Sequence, residues 1–106
     1  MVREFLKVGY SKNISLSQLT SLTNLDRFYL LRVFANQVGV PPHEFQTQIR
    51  IAHARELIRR GHPICDAALR TGFFDQSHLS RHFKRIVGMT PGEYFSGCNF
   101  VQESHQ

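Results

Sequence analysis

The chain contains a copy of part of itself. Residues Asp26 to Phe45 return 49 positions later as Asp75 to Tyr94. Asp26/Asp75, Leu30/Leu79, Arg32/Arg81, Phe34/Phe83, Val38/Val87, Gly39/Gly88, Pro42/Pro91 and Glu44/Glu93 are identical, and Phe45/Tyr94 is aromatic in both. The matched residues are those a helix needs: an N-cap, an apolar stripe, a glycine stop and a proline that opens the next helix. One matched arginine serves none of these purposes. A repeat of this kind means one supersecondary unit used twice. With 106 residues, the chain has room for two very small units sharing a helix.

The second copy is the clearer one. Asp75 can accept from the free N–H groups of a first helical turn, and Gly88 can take the left-handed conformation that ends a helix. Between them Leu79, Phe83 and Ile86 or Val87 form one apolar stripe. Gln76, Ser77, Ser80, Arg81, Lys84 and Arg85 lie off it, and such a face suits base edges and phosphates. Ala67 and Ala68 just upstream let two helices cross closely. Gly72 lets the chain reverse, because it tolerates positive φ. This is the pattern of a helix-turn-helix, whose second helix enters the major groove.

The remaining segments also read as helical. Val2, Phe5 and Leu6 mark a first helix. Ser15 and Gln18 form a capping box that opens a helix with Leu16, Leu19 and Leu22 inward. Thr23-Asn24-Leu25 is the first turn, with Asn24 in the place that glycine takes in the second. A longer helix runs from Pro42 to Arg60. Phe45, Ile49, Ala52, Ala54, Leu57 and Ile58 give it a broad apolar arc, and Gln46, Gln48, Arg50, Arg55, Arg59 and Arg60 coat the rest. At about 1.5 Å per residue it spans about 28 Å, a strut near the spacing of successive major grooves. Pro63 starts a short helix holding Ile64, Ala67, Ala68 and Leu69, with Cys65 expected in its core. Thr90 and Glu93 form a second capping box. No segment alternates with period two, so an all-α fold is expected. Its parts are a first helix-turn-helix at 1–41, a linking helix at 42–60, a second helix-turn-helix at 61–97 and a frayed tail at 98–106.

Net charge is +5 and the pI about 9.8, which fits an anionic partner. The excess is local: from Phe45 to Thr90 eight Lys and Arg face three Asp and Glu. Two cysteines make no disulfide framework, and no signal peptide or membrane-length apolar run is present, so the cytosol is the expected compartment. His78 and His82 have a zinc-compatible spacing but no evident third ligand, so no metal and no cofactor are expected. No paired carboxylates, nucleophile–base pattern or phosphate-cradling loop appears, which argues against an enzyme.

Arg81 and Arg32 follow a core leucine on the outer edge of their helices, where an arginine can fork onto guanine. Gln76 and Ser77 occupy the first turn of the second reading helix, and Arg27 and Phe28 hold the equivalent places in the first. Phe28 can meet a thymine methyl or simply pack. Leu31 is the apolar counterpart of Ser80. His78 is expected to meet DNA, and Lys84 and Arg85 to meet phosphates.

Three stretches carry a resemblance: Ile64 to Phe73, Gln76 to Lys84, and Gly88 to Tyr94. They are similar to the signature of the DNA-binding domain of AraC/XylS-type bacterial transcription regulators, a likeness that covers roughly Phe5 to Phe95. The resemblance implies seven helices, two helix-turn-helix units and a linking helix, with the second helix of each unit in the major groove. Thr20, Asn24, Leu31 and Ala35 depart from the pattern in the first unit. The resemblance also implies a piece of a longer effector-responsive regulator. This piece is expected to be monomeric on double-stranded DNA across two adjacent major grooves, with dimerisation left to a domain before Met1. The rival readings are a non-specific or architectural DNA-binding protein, and a helical module whose basic face binds an acidic protein partner such as RNA polymerase.

Overall fold

In a computed structural model the backbone of residues 1–104 and the side chains of residues 1–97 are described. Seven helices and no strand occur among the described residues: α1 (Val2–Val8), α2 (Leu16–Thr23), α3 (Arg27–Val38), α4 (Pro42–Arg59), α5 (Ile64–Arg70), α6 (Gln76–Val87) and α7 (Pro91–Ser104). The expected all-α fold is what forms. The last helix runs on to Ser104, well past Gly97, where the sequence pattern had suggested a tail.

Helix boundaries follow from local hydrogen bonds. The Ser15 box closes in both directions, with Gln18 N donating to Ser15 Oγ at 3.1 Å and Ser15 N to Gln18 Oε1 at 2.7 Å. Asp26 accepts from Phe28 N and Tyr29 N, and Asp75 from His78 N. Thr90 and Glu93 close the second box, and those bonds hold the Glu93 carboxyl below its ordinary pKa.

The two reversals are solved differently. After α2, Asn24 sits at φ 60, left-handed, with its N–H on Thr20 O. After α5, Gly72 sits at φ 95. There Phe73 N donates to Ala68 O and Gly72 N to Leu69 O, the paired bonds that glycine permits at a helix end. Thr71 is fully buried beside it, and its hydroxyl donates back to Ala67 O at 2.8 Å.

The chain forms two compact units, Met1–Ile49 and Arg50–Gln106. Their boundary falls inside α4. Unit 1 packs Val2, Leu6, Leu19, Leu30 and Phe34, with Phe45 edge-on to Phe34 at 5.6 Å. Unit 2 packs Ile51, Ala54, Ile58, Ala67, Ala68, Phe73, Leu79 and Phe83, with Tyr94 against Phe83 at 5.6 Å. Ala67 and Ala68 are fully buried, as a close crossing of α5 and α6 requires.

Several expectations about inward faces are corrected. Gln46 is buried, because its amide donates to Tyr10 O and Lys12 O and closes the loop after α1. Arg50 is also buried, with its guanidinium 6.0 Å from the Phe73 ring centre. Ile51, left out of the expected arc, is core, whereas Ala52 is exposed. Leu22 and Leu69 are exposed, and so is Cys65, which was expected in the core of α5. One turn of a short helix offers its neighbours only one or two positions, and here α5 offers Ala67 and Ala68.

Candidate nucleic-acid interface

In unit 2 the reading face is built on α6. Leu79 and Phe83 are fully buried, which turns the opposite side of the helix to solvent. Gln76, Ser77, Arg81, Lys84 and Arg85 are all exposed. Ser77, Arg81 and Arg85 succeed one another at i, i+4 and i+8, so they share a side. Ser80 is only half exposed and lies at its edge. A shallow cleft at the start of α6 is lined by Phe74, Asp75, Ser77, His78 and Arg81.

Most of the other cations in this unit are engaged within it. Glu56 accepts from Arg59 Nε at 2.9 Å and from Arg60 Nε at 3.1 Å. These bonds, that of Arg59 foremost, pull its carboxyl down to about 2. Arg70 Nε donates to Asp66 at 2.7 Å. Arg55 lies over the Tyr94 ring, 5.4 Å from its centre, and burial pushes the Arg50 guanidinium below its ordinary pKa. Arg81, Lys84 and Arg85 are the exposed cations on the outer side of α6.

His78 takes a role that spacing did not reveal. Its Nδ1 accepts from Phe74 N at 3.0 Å. Its ring meets Phe73 at 5.2 Å and His82 at 5.1 Å, and His82 stacks on Phe73. These contacts brace the entrance of α6, and the half-exposed ring also lines the cleft beside Ser77 and Arg81. His82 Nδ1 lies 3.1 Å from an Arg85 guanidinium nitrogen.

In unit 1 the corresponding face lies on α3, where Arg27, Phe28 and Arg32 are exposed. The Arg27 guanidinium lies over Phe28 at 5.6 Å, and that of Arg32 over Tyr29 at 5.9 Å. Leu31 is less open: it is half-buried, lines an apolar cavity with Leu6, Ile14, Leu16 and Leu19, and lies at the edge of this face as its counterpart Ser80 does in unit 2. Two residues on this face were missed, Tyr29 and Asn36, both exposed. The repeat places Asn36 opposite Arg85 and Tyr29 opposite the bracing His78.

Residues 19–97 match the family described as a helix-turn-helix domain. A Bacillus subtilis protein, the uncharacterized helix-turn-helix-type transcriptional regulator YbfI, is 43% identical over 79 residues, covering 74% of this chain and 29% of that protein. The crystal structure of a probable AraC family transcriptional regulator from Rhodopseudomonas palustris CGA009 superposes with a TM-score of 0.82 at 25% identity, over 92% of this chain and 93% of that one. The DNA-binding domain of AdpA, a global transcriptional factor solved in complex with a target DNA, gives 0.84 at 22% identity, over 91% and 87%. This chain spans under two fifths of the length of the two curated relatives at 43% and 30% identity, 29% and 38%. No helix among the described residues is long and apolar enough to cross a membrane.

Proposed function

This chain belongs to the AraC-type family of helix-turn-helix domains, and from that premise we propose that it reads a specific double-stranded DNA sequence on behalf of a transcription regulator. Each unit lays its second helix, α3 or α6, in a major groove, and the two grooves are adjacent on the duplex. One observation carries the reading. At the same offset of 49 residues, both units expose an arginine, Arg32 and Arg81, two positions beyond a buried core leucine. No demand of the fold accounts for an identical exposed arginine, whereas a guanidinium beside base edges has a function there. A protein of the same fold, the DNA-binding domain of AdpA, was solved in complex with a target DNA.

The 106-residue chain should bind one sequence, selected from a random pool, in the presence of excess competitor DNA. It should do so as a monomer, with an asymmetric footprint of about two helical turns. Equal binding to every sequence would convert the reading to an architectural protein. No binding to any duplex would remove DNA altogether.

Salt dependence gives a second check. With about six phosphates neutralised, log affinity should fall against log salt with a slope of about −5. Arg27, Lys84 and Arg85, together with the exposed arginines of α4, supply those contacts. A slope near zero in a salt titration would mean that these exposed cations do not meet phosphates.

A further inference from the structure

At the entrance of α6 stands Phe74, 84% exposed. An apolar residue just before an N-cap ordinarily packs on the fourth residue of the helix and fixes the angle of entry. Here that fourth residue is Leu79, which is fully buried by other partners while Phe74 stands in solvent. The repeat supplies the contrast. Leu25 is the counterpart of Phe74, is 37% exposed, and shares a pocket with Leu30, the counterpart of Leu79. The unit 1 side chain is thus far less open to solvent than its counterpart in unit 2.

The backbone that carries the exposed ring is firmly placed. Its backbone N–H donates to His78 Nδ1 at 3.0 Å, and the next residue, Asp75, accepts from His78 N at 2.8 Å. The His78 ring is itself wedged against Phe73 and His82. A large apolar side chain held in water on a braced turn has a cost and no packing return. Phe74 shares the cleft with Ser77 and Arg81, two of the proposed base readers. Among DNA base edges, one group in the major groove is apolar, the C5-methyl of thymine.

We propose that Phe74 is a specificity-determining residue of unit 2, packing on a thymine methyl group next to the base that Arg81 reads. The inference rests on the DNA-reading function proposed above. An aromatic ring suits the task, since it covers a methyl group while freezing only two side-chain torsions. Removing one buried methyl should change affinity about fourfold.

The test uses a duplex selected from a random pool by the wild-type 106-residue chain. Each thymine in it is replaced in turn by uracil, which removes the methyl and leaves the pairing edge unchanged. Wild type should weaken about fourfold at one uracil position attributable to Phe74. Phe74→Ala should bind the unmodified duplex less well and be indifferent to uracil at that position, while matching wild type at every other. Phe74→Leu should keep part of the discrimination. Helical circular dichroism should be unchanged in both variants, since the ring is exposed. Three outcomes overturn the assignment: identical uracil profiles for wild type and Phe74→Ala, a uniform loss across all duplexes, or a selected site with no uracil-sensitive position. If wild type selects no sequence at all, the proposed function falls and Phe74 with it. A selected site with unaltered uracil profiles removes only Phe74.

Discussion

Arg81→Ala is expected to lower affinity for the preferred DNA by about 1–3 kcal/mol and to relax selectivity at a single base pair. The guanidinium is exposed, follows the buried Leu79, and shares a cleft with Ser77 and Phe74. Losing it removes a forked donor without opening the core, so stability should be unaffected. Affinity across a panel of single-base operator variants is the measurement. A loss confined to variants at one position identifies base reading; an equal loss on every variant would assign the arginine to phosphate. Leu31→Ala is the informative companion. Leu31 is half-buried beside Leu6 and Leu19, so its removal should lower the stability of unit 1 and leave base preference unaltered.

Phe83→Ala should be the most damaging change to folding, costing unit 2 about 3–5 kcal/mol. The ring is fully buried and packs edge-on to Tyr94. Domains of this size hold only about 5–15 kcal/mol of net stability, so the variant should stand near unfolding at ambient temperature. Its repeat partner Phe34 is 6% exposed, and Phe34→Ala should remove protection from unit 1 instead. Residue-resolved amide exchange distinguishes the two cases. Phe83→Ala should first expose the amides of α5 and α6, and Phe34→Ala those of α2 and α3. Protection in unit 2 surviving Phe83→Ala unchanged would contradict its place at the centre of that core.

The helix ends were legible in the chain because capping is local. Ser15 with Gln18, Asp26 with Phe28 and Tyr29, Asp75 with His78, and Thr90 with Glu93 all bond within three residues. Such bonds depend on nothing that packs later. The turn residues behave alike: Asn24 and Gly72 adopt positive φ, as their small steric cost there allows. The repeat gave the architecture, since an N-cap, a stripe and a stop recurring at one interval specify the same unit twice.

Position within a helix, in contrast, did not disclose which neighbour would cover it. Gln46 and Arg50 look like surface residues until a loop carbonyl and an aromatic ring arrive against them. Leu22 and Cys65 look like core residues, but nothing in their units covers them. The packing of the His78 ring against Phe73 and His82, with Nδ1 on the Phe74 amide, was not legible in its spacing either. Sequence by itself determined the helices, their order, their twofold use and the arginine each unit exposes, because those follow from interactions a few residues long. Tertiary structure decided that Leu31 is half-buried against an apolar cavity, that Arg81, Lys84 and Arg85 stand exposed on α6 and that Phe74 stands uncovered beside Arg81. Burial depends on surfaces brought together from distant parts of the chain.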